Sequence, residues 1–336
     1  MTIYIKILIL CSLIIYKAHS LNDDSVSVSK PEFSISHFQK TIRFLGSDFL
    51  EGRGTGTQGG NLAAKYLAQE FDRIGLIPIG DNGSFYQKIP MLGSKQQQDS
   101  KLKCCLAWDT VNFILFKDYA LLKSGEETFI PNPLPLAFAG YGIIAPEYDY
   151  NDYQNLDVKD KIVVILDGEP SSEDRAFFDG DKETIHSIYE SKLRAALSRG
   201  AAGVVIVPLL NPGRKNWDDI MNEYKFEDVI LAYNPSSNLG LLMNPKSAEV
   251  LFKDSGYALS DIYKMHIEKR LWSFPLKAKL SFRGDFQQRS FIADNIIGML
   301  EGSNPKLKDT YLIISAHYDH LGIGPAIGGD SIYNGV

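Results

Sequence analysis

The chain has 336 residues, enough for about two domains. Apolar residues make up 44 % and charged residues 23 %, a soluble globular balance that excludes collagen-like, disordered and coiled-coil chains. The formal charge is −6, which argues against nucleic-acid binding, and three cysteines are too few for a disulfide-dense scaffold.

Residues 1–20 read MTIYIKILILCSLIIYKAHS. Lys6 precedes an uncharged run from Ile7 to Tyr16, and Ala18-His19-Ser20 supplies small residues for cleavage. Ten uncharged residues suit a signal sequence and fall short of the ~20 that span a bilayer. A cleaved signal, a secreted or periplasmic location and no stable membrane insertion are expected. Removing Lys6 and Lys17 takes the charge to −8 and leaves Cys104 and Cys105 as the remaining cysteines. An adjacent pair makes a strained disulfide and a poor metal clamp, so two half-buried thiols, or one thiol with a partner elsewhere, are expected.

Residues 21–33 are polar. Ser36 and Gln39 form a capping-box pattern ahead of Ile35, Phe38, Ile42 and Leu45 at helical spacing, with Gly46 as the stop. After the loop Glu51–Gly60, the residues Ala63, Leu67, Phe71 and Ile74 mark a second amphipathic helix closed by Gly75. Composition shifts at Pro131-Asn132-Pro133-Leu134-Pro135. Beyond it come a strand over Ile162–Leu166, a helix from about Ile188 to Arg199 and a strand over Val204–Val207, a β-α-β module placed at 134–265. Strands return in Asn295–Leu300 and in Tyr311–Ala316, whose unbroken apolar run suits a strand buried on both faces.

Gly54-Thr55-Gly56-Thr57-Gln58-Gly59 matches G-x-G-x-x-G. That motif holds a pyrophosphate only between a strand and a helix. Here a helix precedes it, Asp72 falls inside the following helix, and no P-loop lysine is present. A tight loop whose Thr57 caps the second helix is the preferred reading, with Arg53 free to face a cleft.

The chemistry-bearing cluster is His317-Tyr318-Asp319-His320, at the end of the Tyr311–Ala316 run. Ligands bind beyond the carboxyl ends of strands in open α/β sheets. Period-two geometry puts His317 and Asp319 on one side. A neutral imidazole ligates zinc, and a carboxylate can orient it through the second ring nitrogen. His317 is thus the candidate metal ligand and Asp319 its candidate partner; a solvated strand-end cluster is the alternative. His320 is read as structural or a pocket wall, and His37, His186 and His266 as surface residues. Gly324, Gly328 and Gly329 permit either close backbone approach or a flexible loop.

Three blocks resemble one family in its own order. FLGSDFLEGRGTGTQGGNLAAKYLAQEF is similar to the N-terminal region of secreted bacterial dizinc aminopeptidases of metallopeptidase family twenty-eight. AFAGYGIIAPEYDYNDYQNLDVKDKIVVILDGEP with SRGAAGVVIV resembles their inserted protease-associated domain. NIIGMLEGSNPKLKDTYLIISAHYDHLG with GDSIYNGV resembles the start of their catalytic core. The resemblance implies an α/β fold: a zinc-exopeptidase-type mixed sheet flanked by helices, incomplete here, with an inserted α/β protease-associated domain. The expected division is signal 1–20, N-terminal peptidase part 21–133, inserted domain 134–265 and start of the catalytic core 266–336. It also implies two zinc ions, His317 as a zinc ligand and Asp319 as the catalytic-site aspartate. The expected partners are peptides or proteins with a free N-terminus. The family's bridging Asp, its general-base Glu, its further acidic ligand and its last His follow a segment like Tyr333-Asn334-Gly335. A fragment of a longer enzyme, itself inactive, is therefore expected. The alternatives are a non-catalytic binding relative, or a carboxypeptidase or glutaminyl-cyclase relative.

Overall fold

The structure, a computed structural model, describes residues 34–122, 129–180, 182–209, 216–233 and 238–335. The signal sequence expected at 1–20 lies outside them. Among the described residues no helix is long and apolar enough to cross a membrane.

The chain divides between Phe44 and Leu45 into two compact units. The described part of the first is helix α1 (Ile35–Leu45), which runs on into Leu45. Its cap is Ser34 rather than Ser36: the Ser34 hydroxyl accepts from the His37 amide at 3.3 Å, so the helix starts two residues earlier than the capping-box pattern implies.

The second unit opens with a short 3₁₀ turn over Asp48–Arg53 and helix α2 (Gln58–Arg73). Its strands in chain order are β1 (Tyr86–Gln96), β2 (Lys101–Cys105), β3 (Thr110–Phe113), β4 (Tyr119–Leu121), β5 (Phe129–Phe138), β6 (Ile162–Leu166), β7 (Gly203–Val207), β8 (Asp228–Leu231), β9 (Leu239–Met243), β10 (Phe274–Arg283), β11 (Phe286–Ile296), β12 (Gly322–Ile327) and β13 (Asp330–Tyr333). Helices α3 (Tyr189–Leu197), α4 (Trp217–Glu223), α5 (Pro245–Ala248) and α6 (Leu259–Ile267) lie between them.

Eight strands form one mixed sheet in the order β3-β2-β10-β5-β6-β7-β9-β4. The centre, β5 through β9, is parallel, and antiparallel strands close both sides. The fold class is therefore α/β with a large mixed sheet. Every residue of β6, β7 and β9 is buried, as their unbroken apolar runs require. Alternate residues serve opposite faces. Val163, Ile165, Val204 and Ile206 pack with Ala196, Trp217 and Met221, while Val164, Leu166 and Val205 pack with Phe138, Phe252 and Ile262. Each such side chain contributes roughly 1.5–3 kcal/mol of burial.

The sheet also draws strands from both sides of the 134–265 limits. The proline-rich stretch read as a boundary is the first half of β5. Prolines 131, 133 and 135 are tolerated there because parallel pairing with β6 begins only at Leu136, leaving one side of the strand without a ladder to interrupt. Cys104 and Cys105 are both free thiols in β2; burial pushes Cys104 up to about 12, which keeps it protonated.

A buried polar knot sits at the carboxyl ends of β5 and β6. Asp152 accepts from the Tyr141 amide (3.1 Å), the Ile143 amide (2.9 Å) and the Tyr150 hydroxyl (2.8 Å). Lys192 of α3 donates to the Tyr141 carbonyl (2.7 Å) and to that of Gly168. Burial raises Asp152 to about 6, against its hydrogen bonds and the attraction of Lys192, and lowers Lys192 to about 8. The folded state thus holds the Asp152 proton more tightly than the unfolded chain, where the value is 3.8. This contribution to stability is complete below about pH 4 and is lost as pH rises through about 6. The melting temperature of the wild type, measured against Asp152→Asn, should accordingly fall from pH 4 to pH 6; a flat difference would remove Asp152 from this role.

A second, three-stranded antiparallel sheet runs β8-β1-β11, with β11 paired to β1 along eleven residues. Between β11 and β12 the structure departs from expectation. Gly298–Met299 pairs with Ile77–Pro78, but Tyr311–Ala316 forms no strand. Leu312, Ile313 and Ile314 are 85–89 % exposed. An apolar run becomes a buried strand only when neighbouring strands supply ladders on its edges and helices cover its faces. None among the described residues does so.

Candidate metal site

The site is built where the segment 317–320 meets the glycine loop. The Arg53 guanidinium donates from Nε to the Tyr318 carbonyl at 2.7 Å and from Nη1 to the Leu45 carbonyl. The His320 amide returns a bond to the Arg53 carbonyl at 3.1 Å, and Gly54 and His320 form a parallel bridge. Arg53 does not face a cleft: it is buried, and it adopts a left-handed backbone at φ 52°. That conformation costs ~1–2 kcal/mol outside glycine, and the three bonds through this one residue offset it. Burial lowers the Arg53 pKa, and the nearby Asp319 charge opposes the shift. The Tyr318 hydroxyl donates to the Asp294 carbonyl of β11 at 2.6 Å, and burial raises the phenol to about 12, so it stays a donor.

Asp319 is held from the loop side, where the Thr55 hydroxyl donates to its Oδ2 at 2.6 Å. His317 Nδ1 lies 2.8 Å from the Asp319 main-chain carbonyl and 3.4 Å from its Oδ1. A carbonyl oxygen only accepts, so Nδ1 carries the proton and the Nε2 lone pair is left for a ligand. The sequence pattern points to the Asp319 carboxylate as the orienting acceptor. The main-chain oxygen of the same residue is closer, with the carboxylate behind it. His317 is 80 % exposed and lines a cleft of about 990 Å³ together with Glu51, Thr55, Gln97, Asp319 and His320.

The glycine loop is scaffold, not a phosphate cradle. A 3₁₀ turn precedes it rather than a strand, and Thr57 caps α2 by accepting from the Gly60 amide at 3.3 Å, as expected. The loop works by close approach: a Cβ on Gly52 would stand 2.6 Å from the Gly322 carbonyl oxygen and 2.5 Å from that of Tyr333. The glycines after 322 make a hairpin, not a flexible loop. β12 and β13 turn at Gly328-Gly329, both at positive φ, as a two-residue type I′ connection demands. Asn334 ties the hairpin back, donating to Asp48 Oδ1 at 2.7 Å.

Other histidines are more enclosed than a surface reading allows. His186 contacts Glu147 at 2.8 Å and packs against Phe178, and His266 meets the Tyr141 hydroxyl at 2.6 Å. Sequence reasoning missed Thr55, whose hydroxyl nothing local distinguishes from that of Thr57. Among the described residues no three His, Cys, Asp or Glu side chains come together as a metal cluster.

Residues 295–332, which include His317 and Asp319, match the family described as Peptidase family M28. No curated protein matches the chain. Among solved structures, an aminopeptidase from Aneurinibacillus sp. strain AM-1 is 15 % identical, covering 81 % of this chain and 50 % of that one, with a TM-score of 0.40. BSAP, a zinc aminopeptidase from Bacillus subtilis, is 16 % identical, covering 82 % of this chain and 50 % of its own, with a TM-score of 0.33. The chain spans about half the length of these structures.

Proposed function

We propose that this chain carries part of a zinc-dependent aminopeptidase site and that the protein hydrolyses N-terminal residues from peptides. One observation carries the reading: His317 has Nδ1 fixed as a donor and Nε2 without a partner among the described residues, on the wall of a cleft. The match of residues 295–332 to Peptidase family M28 supports it. Bound zinc would polarise a scissile carbonyl and acidify water.

The residues present fit one ligand and its orienting group. A catalytic zinc takes about three protein ligands, so further ligands, a second ion's included, would have to come from outside the described residues. Within that reading His317 binds the metal, Asp319 holds the imidazole tautomer, and Thr55 holds Asp319. The module centred on β5 to β9 is the inserted protease-associated part. Residues 1–20 direct the chain out of the cytoplasm.

Asp319→Asn keeps the main-chain carbonyl that accepts from His317 Nδ1 but removes the negative charge 3.4 Å from it, and should weaken zinc affinity or kcat ~10–100-fold, the usual cost of altering such a partner. Amino-acid anilides assayed beside N-blocked peptides test the reaction class. Cleavage of the blocked peptides alone would replace aminopeptidase with another hydrolase, and a zinc-free, inert protein would end the proposal.

A further inference from the structure

A polar assembly outside the segment 317–320 is centred on Arg289 of β11. Its Nε and Nη2 donate to the two carboxylate oxygens of Glu227 at 2.7 and 2.6 Å. The same guanidinium donates from Nη1 to the Gly56 carbonyl (3.1 Å) and from Nη2 to the Thr55 carbonyl (3.0 Å). Its Cζ lies 4.0 Å from the Phe291 ring centroid. The space is cut to fit. A Cβ on Gly93 would stand 2.4 Å from Glu227 Oε1, and one on Gly56 would fall 2.1 Å from the Phe291 ring. A surface ion pair would need none of this. The planar fork bonds a carboxylate on one edge and two consecutive backbone carbonyls on the other, a geometry that a lysine ammonium cannot copy.

Those two carbonyls are that of Thr55, the residue that reaches Asp319, and that of its successor Gly56. Arg53 and Gly54 are pinned to Tyr318 and His320; Thr55 and Gly56 are pinned to Arg289. The Thr55 hydroxyl, at 2.6 Å from Asp319 Oδ2, lies between the two anchors. We propose that Arg289, locked by Glu227, is a positioning residue for the metal site that acts through Thr55 on Asp319. The inference rests on the aminopeptidase reading of His317 and Asp319.

The test uses the whole protein and reads zinc affinity by competition with a chromophoric chelator, alongside kcat and KM. Arg289→Met and Thr55→Val should each weaken zinc affinity and lower kcat by about 10-fold with KM unchanged, the low end of losses at such partners. The double variant should be no worse than Thr55→Val, because Arg289 acts through that hydroxyl. Thr55→Ser, which keeps the donor, should restore wild-type values. Should Arg289→Met fail to fold, Glu227→Gln provides the same test by loosening the fork, with a loss in the same direction that stays below the ~10-fold of removing a partner outright. Wild-type affinity and kcat in both Arg289→Met and Glu227→Gln, or losses that multiply in the double variant, would overturn the positioning role and leave the aminopeptidase reading standing. A wild-type protein that binds no zinc would bring down both.

Discussion

On the aminopeptidase reading proposed above, His317→Ala should abolish zinc-dependent peptide hydrolysis while leaving the eight-stranded sheet intact. The loss exceeds the ~10–100-fold expected for orienting partners, because the substitution removes the donor atom itself. The fold is spared for a local reason. His317 is 80 % exposed, and its polar contacts run to Asp319, two residues on. A side chain this exposed leaves no cavity when it is truncated. Zinc content by atomic absorption, hydrolysis rate and melting temperature check the three parts separately. Retained zinc and retained rate would take His317 out of the site. A large fall in melting temperature would show that the residue holds the fold instead.

Gly59→Ala has the opposite profile: its main effect is on stability. Gly59 lies in the first turn of α2, where alanine is favoured over glycine by ~1 kcal/mol. Propensity alone therefore predicts a more stable protein. The close approach of the preceding turn reverses the sign. A Cβ there would lie 1.8 Å from the Leu50 carbonyl oxygen and 2.5 Å from its carbonyl carbon. These are backbone atoms of a fully buried residue, so relief requires moving the turn over Asp48–Arg53 away from α2. Overpacking of this kind costs ~1–3 kcal/mol and more when the backbone is the obstacle. A net loss of about 2–3 kcal/mol should lower the melting temperature by roughly 5–10 °C. The same displacement carries Arg53 and Thr55 off Tyr318 and Asp319, so hydrolysis falls as well. An unchanged or higher melting temperature would refute the argument.

Much of the framework was legible before any coordinates. β6 matches its expected limits, β7 and α3 lie within a few residues of theirs, and α2 follows from Ala63, Leu67 and Phe71. Each is a local pattern, a buried apolar run or a 3.6-residue repeat closed by glycine. The sheet's sides were not legible. β2, β4 and β10 join it from outside the expected limits of the module, and strand pairing is a long-range choice that composition does not encode. The proline stretch misled for the same reason: proline excludes a ladder on one side of a strand, not the strand.

The sequence by itself determined the residue types of the site: an imidazole and a carboxylate two positions apart, behind an apolar run and a glycine-rich loop. That spacing brings His317 and Asp319 together in any extended backbone. Tertiary structure decided everything that makes the pair specific. Arg53 and Tyr318 stand 265 positions apart in the chain, so the loop clamps the segment only once the fold has brought them together. The bonds from Thr55 to Asp319 and from Arg289 to the Thr55 carbonyl join positions far apart in the chain. Hydrogen bonds of a few ångströms between such positions depend on how sheets and turns pack, and no local periodicity records them.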